Sequence, residues 1–121
     1  MYLKGKMVIE LDEKNFKKEV NLSKVLVLLD FYAEWCQPCQ MMKPVFAEIS
    51  EEKEFAGRLK FAKIDVGKNS DTADLFNVQG VPALLFIREG QEVDRIVGFG
   101  SKEALRKKIR DIVKELEEKD G

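Results

Sequence analysis

A pair of cysteines separated by two residues, Cys36 and Cys39, most constrains this chain, because the sequence contains no other cysteine. The apolar run over residues 25–32 stops just before the pair, and a helical pattern of apolar residues follows it. A helix that starts at Cys36 brings the two sulfurs together within one turn, so they can close or open a disulfide with little backbone movement. A cysteine pair at a strand-to-helix junction is the context expected of a redox motif.

Metal binding and structural cross-linking are the other roles open to such a pair. A zinc site needs four protein ligands if it is structural and three if it is catalytic. The chain has two cysteines and no histidine, so one subunit could reach that number only by recruiting carboxylates. A metal shared across a dimer stays open as an alternative. A structural disulfide would close so short a loop that it would add little stability. We therefore predict a redox pair and no metal site.

Length and composition limit the partners and the compartment. A chain of 121 residues is expected to form one domain over residues 1–121. Its 21 basic and 22 acidic residues give a net charge of −1, and this balance does not indicate nucleic acid or an anionic membrane as a partner. The N-terminus lacks a signal-peptide pattern, and the longest apolar stretch is too short to cross a bilayer.

The cysteine usage and the charge content add two further expectations. No cysteine lies outside the motif, which fits a reducing compartment and makes the cytoplasm the default location. Charged residues make up 36% of the chain, and the excess is mostly Lys and Glu, a composition also typical of proteins from hot environments.

The order of apolar segments predicts an α/β sandwich around a mixed sheet. Strands alternate with helices, and the connection Arg88–Gln91 is too short for a crossover, so the last two strands should form an antiparallel hairpin. The predicted strands cover residues 8–11, 25–32, 59–66, 83–87 and 93–97. Four helices are predicted. The first follows Asp12, the second runs from Cys36 to about Lys53 with Pro44 inside, the third contains residues 73–76, and the last follows Ser101.

The two cysteines should have different roles. A thiolate is the attacking species, and Cys36, at the first position of the helix, faces unpaired backbone N–H groups and the positive end of the helix dipole. Cys39 lies one turn further in and should be less exposed, which suits displacement of a mixed disulfide formed on Cys36. Pro38 suits a first helical turn because it lacks an N–H group, and a plain helix start explains it equally well.

Asp30 and Lys63 place charges within predicted buried strands. A buried carboxylate has a raised pKa, so Asp30 could take the proton of Cys39 as that thiol becomes a nucleophile. The alternative is an aspartate that ends its strand at the surface. Lys63 could pair with Asp30, although a lysine that reaches solvent from a strand edge is the simpler interpretation.

An apolar docking patch is predicted beside the cysteines. Pro82 starts a strand, and a cis bond before it would expose the backbone of Val81 as an edge for an extended peptide, although local sequence alone favours the trans isomer. Trp35 and Phe99 have no evident helix or strand face to bury into, so we predict that they join Val81 and Pro82 in the patch. Packing of Phe99 into the core is the alternative.

These residues together resemble the thioredoxin family from about residue 7 to residue 116. The run from Asp30 to Cys36, followed by Pro38 and Cys39, is similar to the active-site signature of that family. Pro44 matches the helix-kinking proline of the family, and residues 61–65 resemble its strand with the lysine that accompanies the buried aspartate. Residues 78–82 are similar to its cis-proline loop, and Gly90 and Gly98 fall where its glycines do. The resemblance implies a thioredoxin fold, a three-layer α/β/α sandwich with a central mixed sheet. It also implies reversible reduction of protein disulfides, a buried Asp30 and a cis-Pro82.

The resemblance further implies a flavin-dependent reductase as a partner and no bound cofactor, and we expect a monomer. Three positions depart from the usual pattern: Gln37 replaces a Gly, Ala83 a Thr and Tyr32 a Trp. Gln37 leaves open whether the protein is a general reductant or one dedicated to a few partners. A non-catalytic binding module with the same fold is the alternative from another class. An oxidant or isomerase is disfavoured, because the chain lacks a signal peptide and a histidine between the cysteines.

Overall fold

The computed structural model describes residues 7–120, and its centre is a five-stranded sheet in the order β1-β3-β2-β4-β5. The predicted lack of a signal peptide concerns residues 1–6, which lie outside this range. Strands β1, β3 and β2 are parallel neighbours, whereas β4 pairs antiparallel with both β2 and β5, so the predicted mixed sheet and hairpin are confirmed. The strands are β1 (Val8–Leu11), β2 (Leu26–Tyr32), β3 (Leu59–Asp65), β4 (Ala83–Arg88) and β5 (Gln91–Val97).

Helices cover both faces of this sheet, as the three-layer prediction requires. The helices are α1 (Gln37–Ser50), α2 (Ser70–Leu75) and α3 (Lys102–Asp120). Buried side chains of α1 and α3, such as Phe46 and Ile109, pack with Leu28 on one face. Residues of α2 and of a π-helical turn at Lys17–Asn21 pack with Leu29 on the other face. The fold class is therefore confirmed.

The central strand β2 sends alternate side chains to the two faces. Leu26 and Leu28 lie in the core beneath α1 and α3, and Leu29 and Phe31 lie in the core on the opposite face. By this alternation Asp30 points to the side of the sheet that α1 covers. The strand therefore delivers a carboxyl group to the helix that carries the cysteines.

Several boundaries differ from the sequence-based predictions. Helix α1 begins one residue later, with Cys36 as its N-cap, and ends at Ser50 because a separate 3-10 turn forms at Lys53–Phe55. The segment after Asp12 forms a π-helical turn rather than the predicted α-helix. The Asp12 carboxylate accepts hydrogen bonds from the N–H groups of Lys14 and Asn15 in the turn before this segment, whose N-cap is Phe16 rather than the predicted Asp12. Strand β5 begins at Gln91 rather than 93.

Ion pairs connect α3 to the segment between α1 and β3. Arg106 contacts Glu52 at 2.7 Å, Arg110 contacts Glu54 at 2.8 Å, and Arg58 contacts Glu117 at 2.7 Å. Ion pairs near the surface stabilise a fold little one by one and more as a network, particularly at high temperature. Part of the charge excess in the composition thus holds α3 in place. Within residues 7–120, no helix is both long enough and apolar enough to cross a membrane.

Candidate active site

The two cysteines form a disulfide at the start of α1, with their Cα atoms 5.2 Å apart. Cys36 is the N-cap, and its sulfur accepts a hydrogen bond from the backbone N–H of Cys39 at 3.2 Å. Pro38 lies in the first turn, where no intrahelical partner exists for an N–H group. The motif therefore closes because a helix starts there, as the spacing predicted.

Exposure barely distinguishes the two cysteines. Cys36 is 5% exposed and Cys39 is 2% exposed, and both pack with Ala33 and Val81. Cys39 is therefore the less exposed sulfur, as predicted, but only by a narrow margin, because Cys36 at the helix end is buried as well. The two sulfurs differ instead in hydrogen bonding and position, because an N–H donor and the positive end of a helix dipole both favour a thiolate on Cys36.

The loop before β4 lies directly against the sulfur of Cys36. The Val81–Pro82 peptide bond is cis, as the resemblance implied. The carbonyl oxygen of Val81 lies 3.7 Å from the Cys36 sulfur. The Pro82 carbonyl accepts a hydrogen bond from the N–H of Gly98 at 3.2 Å, which joins the end of β5 to this loop.

The surface around the sulfur is only partly the predicted one, since Pro82 is buried. Trp35 is 79% exposed, so it is free to contact a partner. Phe99 is half-buried and packs against the core beneath α1 and α3, so the expectation that it has nothing to bury into is wrong. Val97, which is 66% exposed and pairs with Ala83, was not predicted for this surface. The predicted hairpin placed the end of β5 near Ala83, but a register irregularity at Phe86/Ile87 decides which residue pairs with it.

Asp30 is buried, and the alternative of a surface aspartate is excluded. The residue is 3% exposed, and its Oδ1 atom has no hydrogen-bond partner within residues 7–120. Burial raises the pKa of Asp30 to about 7, with the Lys63 ammonium opposing this rise and the Glu10 carboxylate adding to it. The carboxyl group can therefore change its protonation state near neutral pH.

A cavity of about 820 Å³ connects this carboxyl group with the redox pair. Asp30, Cys39 and Lys63 all line it, so three of the predicted site residues share one cavity. Glu10 and Tyr32 also line the cavity, and sequence reasoning gave neither a role in the site. Glu10 could have been identified from its position as a charged residue inside the predicted edge strand.

Lys63 forms its ion pair with a different residue from the one considered from sequence. It stands opposite Asp30 in the register of β2 and β3, yet its ion pair joins its Nζ atom to Glu10 Oε1 at 3.7 Å. Its side chain is 23% exposed. Across the described residues, no group of three or more Cys, Asp or Glu side chains is arranged to hold a metal ion.

Known proteins share both the sequence and this architecture. The family model of thioredoxin matches residues 7–111. A thioredoxin of Mycobacterium tuberculosis is 42% identical over 108 residues, which are 89% of this chain and 91% of that protein. The bifunctional thioredoxin reductase/thioredoxin of Mycobacterium leprae is 39% identical over 110 residues, which are 91% of this chain and 24% of that protein. The solved structure of the N21Q mutant thioredoxin from Halobacterium salinarum is 32% identical, with a TM-score of 0.74 over 92% of this chain and 95% of that one.

The family model covers most of the chain, and the identity to curated thioredoxins extends over most of both partners. The disulfide between Cys36 and Cys39 provides the redox couple that this family uses. The chain belongs to the thioredoxin family and is a protein-disulfide oxidoreductase.

Proposed function

We propose that this oxidoreductase works as a reductant of protein disulfides, with Cys36 as the nucleophile and Cys39 as the resolving thiol. The hydrogen bond from the Cys39 N–H to the Cys36 sulfur carries this assignment. The Cys36 thiolate attacks one sulfur of a client disulfide, forming a mixed disulfide and releasing the other client sulfur as a thiolate that takes up a proton. Cys39 then attacks Cys36, which forms the Cys36–Cys39 disulfide and releases the second client thiolate.

Asp30 is the proposed proton acceptor for the second step. Cys39 must lose its proton to attack, and the Asp30 carboxylate opens into the same cavity. A carboxyl group whose pKa is about 7 is matched to proton transfer near neutral pH. In this role Asp30 takes the Cys39 proton and returns it to solvent through the cavity, while Lys63 supports it as a nearby positive charge.

Clients would dock on the surface formed by Trp35, Val81, Val97 and the exposed part of Phe99, with the buried Pro82 beneath it. The Val81 carbonyl beside the Cys36 sulfur supports docking of an extended client segment, since main-chain pairing gives affinity that does not depend on client sequence. The exposed side chains of Trp35 and Val97 would add apolar contact.

The electrons would come from a flavin-dependent reductase, so that the chain itself needs no bound cofactor. The fusion of a thioredoxin reductase with a thioredoxin in the Mycobacterium leprae relative supports a reductase as the partner. We further propose that the protein acts as a monomer in the cytoplasm, where a reducing environment keeps the pair supplied with electrons.

Dedication to a few clients is the second candidate function, and Gln37 supports it. This residue replaces the usual glycine between the cysteines, and its side chain is exposed beside the attacking sulfur. A polar side chain at that position can select partners by contact.

Insulin reduction tests the proposal against the alternatives. With dithiothreitol as electron source, the wild-type chain should speed insulin precipitation, and Cys36→Ser should abolish the effect. No reduction of insulin or of any disulfide reagent would contradict the proposal and favour a non-catalytic binding module. Efficient reduction of small reagents with slow reduction of insulin would favour a dedicated reductant, and Gln37→Gly should then raise the insulin rate.

A further inference from the structure

Three charged residues stand in one row across adjacent strands beside the redox pair. Glu10 in β1 is the register partner of Lys63 in β3, and Lys63 is also the register partner of Asp30 in β2. Register partners in a sheet carry their side chains on the same face. The backbone position of Lys63 therefore lies between two residues that carry carboxyl groups, one at the edge of the sheet and one in its interior.

The outer carboxylate binds this ammonium. The Lys63 Nζ lies 3.7 Å from Glu10 Oε1. Both carboxylate oxygens of Glu10 also lie 3.0 Å from the Tyr32 hydroxyl, which donates to them. Tyr32 follows Asp30 by two residues in β2, and its ring lies beneath the ammonium, with Nζ 5.8 Å from the ring centroid. The Glu10 carboxylate and the Lys63 ammonium are thus both in contact with partners, whereas Asp30 Oδ1 has no hydrogen-bond partner in the described structure.

We propose that Glu10 is a positioning residue for the proton transfer: anchored by the Tyr32 hydroxyl, it holds Lys63 away from the Asp30 carboxyl group. A lysine bound directly to Asp30 would stabilise the carboxylate and make it a poor base for the Cys39 thiol. Lys63 is instead paired with Glu10, and its charge still favours release of the proton from Asp30 without trapping the carboxylate. The inference rests on the proposed function of Asp30 and deepens it.

The charges of Lys63 and Glu10 act on Asp30 in opposite directions. The Lys63 charge lowers the pKa of Asp30 and the Glu10 charge raises it. Exposure rises along the row, from Asp30 at 3% to the side chains of Lys63 at 23% and Glu10 at 51%. Other charged groups that line the cavity are Asp12, Glu13, Lys14, Glu34, Lys43, Asp65 and Lys68.

Direct titration of Asp30 tests the role of Glu10. The pKa is measured from the carboxyl carbon resonance of Asp30 by NMR, assigned by its loss in Asp30→Asn. Glu10→Gln should lower this pKa by about half a unit or more, since it removes one carboxylate and frees the ammonium to approach Asp30. Tyr32→Phe should shift it in the same direction by less, because it frees the carboxylate without removing its charge.

The matched control is Glu118→Gln, which makes the same charge change on an exposed residue of α3 and should leave the pKa unchanged. A double-mutant cycle with Lys63→Gln shows whether Glu10 acts on Asp30 through the lysine. The change that Glu10→Gln causes in the Asp30 pKa should fall by at least about half when the lysine is absent. An unchanged pKa in Glu10→Gln would overturn the proposal. The same full shift in the Lys63→Gln background would also overturn it, because Glu10 would then act on Asp30 directly.

A kinetic readout separates this inference from the proposed function. The acidic limb of the pH profile for release of the mixed disulfide should move to lower pH with Glu10→Gln, by the same amount as the pKa. If Asp30→Asn leaves that release rate unchanged, the proposed role of Asp30 is wrong, and the NMR titration still decides whether Glu10 positions Lys63.

Discussion

The backbone N–H of Cys39 donates a hydrogen bond to the sulfur of Cys36 across 3.2 Å. Because the backbone of α1 fixes this donor, it should remain in place when the disulfide opens and should stabilise a thiolate on Cys36. The described structure contains no corresponding donor for the Cys39 sulfur. One short helix turn thus gives two nearly equally buried sulfurs different chemistry.

Cys39→Ser should therefore trap client proteins as mixed disulfides on Cys36, whereas Cys36→Ser should trap essentially none. The physical reason is that only Cys36 is stabilised as a thiolate, and loss of Cys39 removes the group that resolves the intermediate. Mass spectrometry of captured clients checks this. Faster alkylation of Cys39 than of Cys36 at mildly acidic pH would contradict the assignment.

Asp30→Asn should stabilise the disulfide form, and the gain should grow with pH. The pKa of Asp30 in the folded protein, about 7, lies above its ordinary value of 3.8, so between these pH values unfolding releases a proton. The stability of the wild-type protein therefore falls as pH rises from about 4 to about 7. The whole difference between the two pKa values corresponds to a change in the free energy of unfolding of at most on the order of 4 kcal/mol.

We expect a gain of about 1–3 kcal/mol above pH 7 in this variant, since a buried amide still lacks a partner. The gain should vanish only well below pH 3.8, where Asp30 is protonated in both the folded and the unfolded state. Denaturant unfolding at a series of pH values measures the difference, and a pH-independent gain would show that ionisation of Asp30 is not its source.

The same variant should slow release of the mixed disulfide by roughly 100-fold at neutral pH, because a positioned base contributes on that scale. Formation of the mixed disulfide should change far less, since Cys36 does not use Asp30. Stopped-flow measurement of the two steps makes the comparison. Equal slowing of both steps would indicate a general disturbance of the site.

Trp35→Ala should weaken reduction of protein disulfides by about tenfold while leaving reduction of a small disulfide reagent unchanged. The side chain is 79% exposed, so its loss removes apolar contact with a docked client and little of the fold. Leu22→Ala is the matched control, because Leu22 is 65% exposed and precedes β2 at the end opposite the cysteines. Equal losses with both kinds of substrate would argue against a docking surface.

Phe99→Ser should lower the free energy of unfolding by about 1–3 kcal/mol, since the ring packs against the core beneath α1 and α3. Its effect on protein substrates should be smaller than that of Trp35→Ala. Thermal or denaturant unfolding measures the loss. A variant with wild-type stability and a large defect toward protein substrates would instead place Phe99 mainly in the docking surface.

Local pattern in the sequence was enough to predict most of the fold and the redox pair. The spacing of Cys36 and Cys39, the apolar run before them and the helical period after them are properties of near neighbours in the chain. The short connection between the last two strands similarly required an antiparallel hairpin. These features are predictable because strand alternation, helix periodicity and chain reach act over a few residues.

Tertiary structure alone decided the partners of the charged and apolar side chains. Lys63 pairs with Glu10 because β1 lies beside β3 in one particular register, which no local pattern specifies. Val97 joins the surface near Pro82 because an irregularity in the hairpin shifts its pairing onto Ala83. Phe99 is half-buried because α3 packs over it. Each outcome depends on segments distant in sequence, whose contacts form only when the whole sheet and its helices assemble.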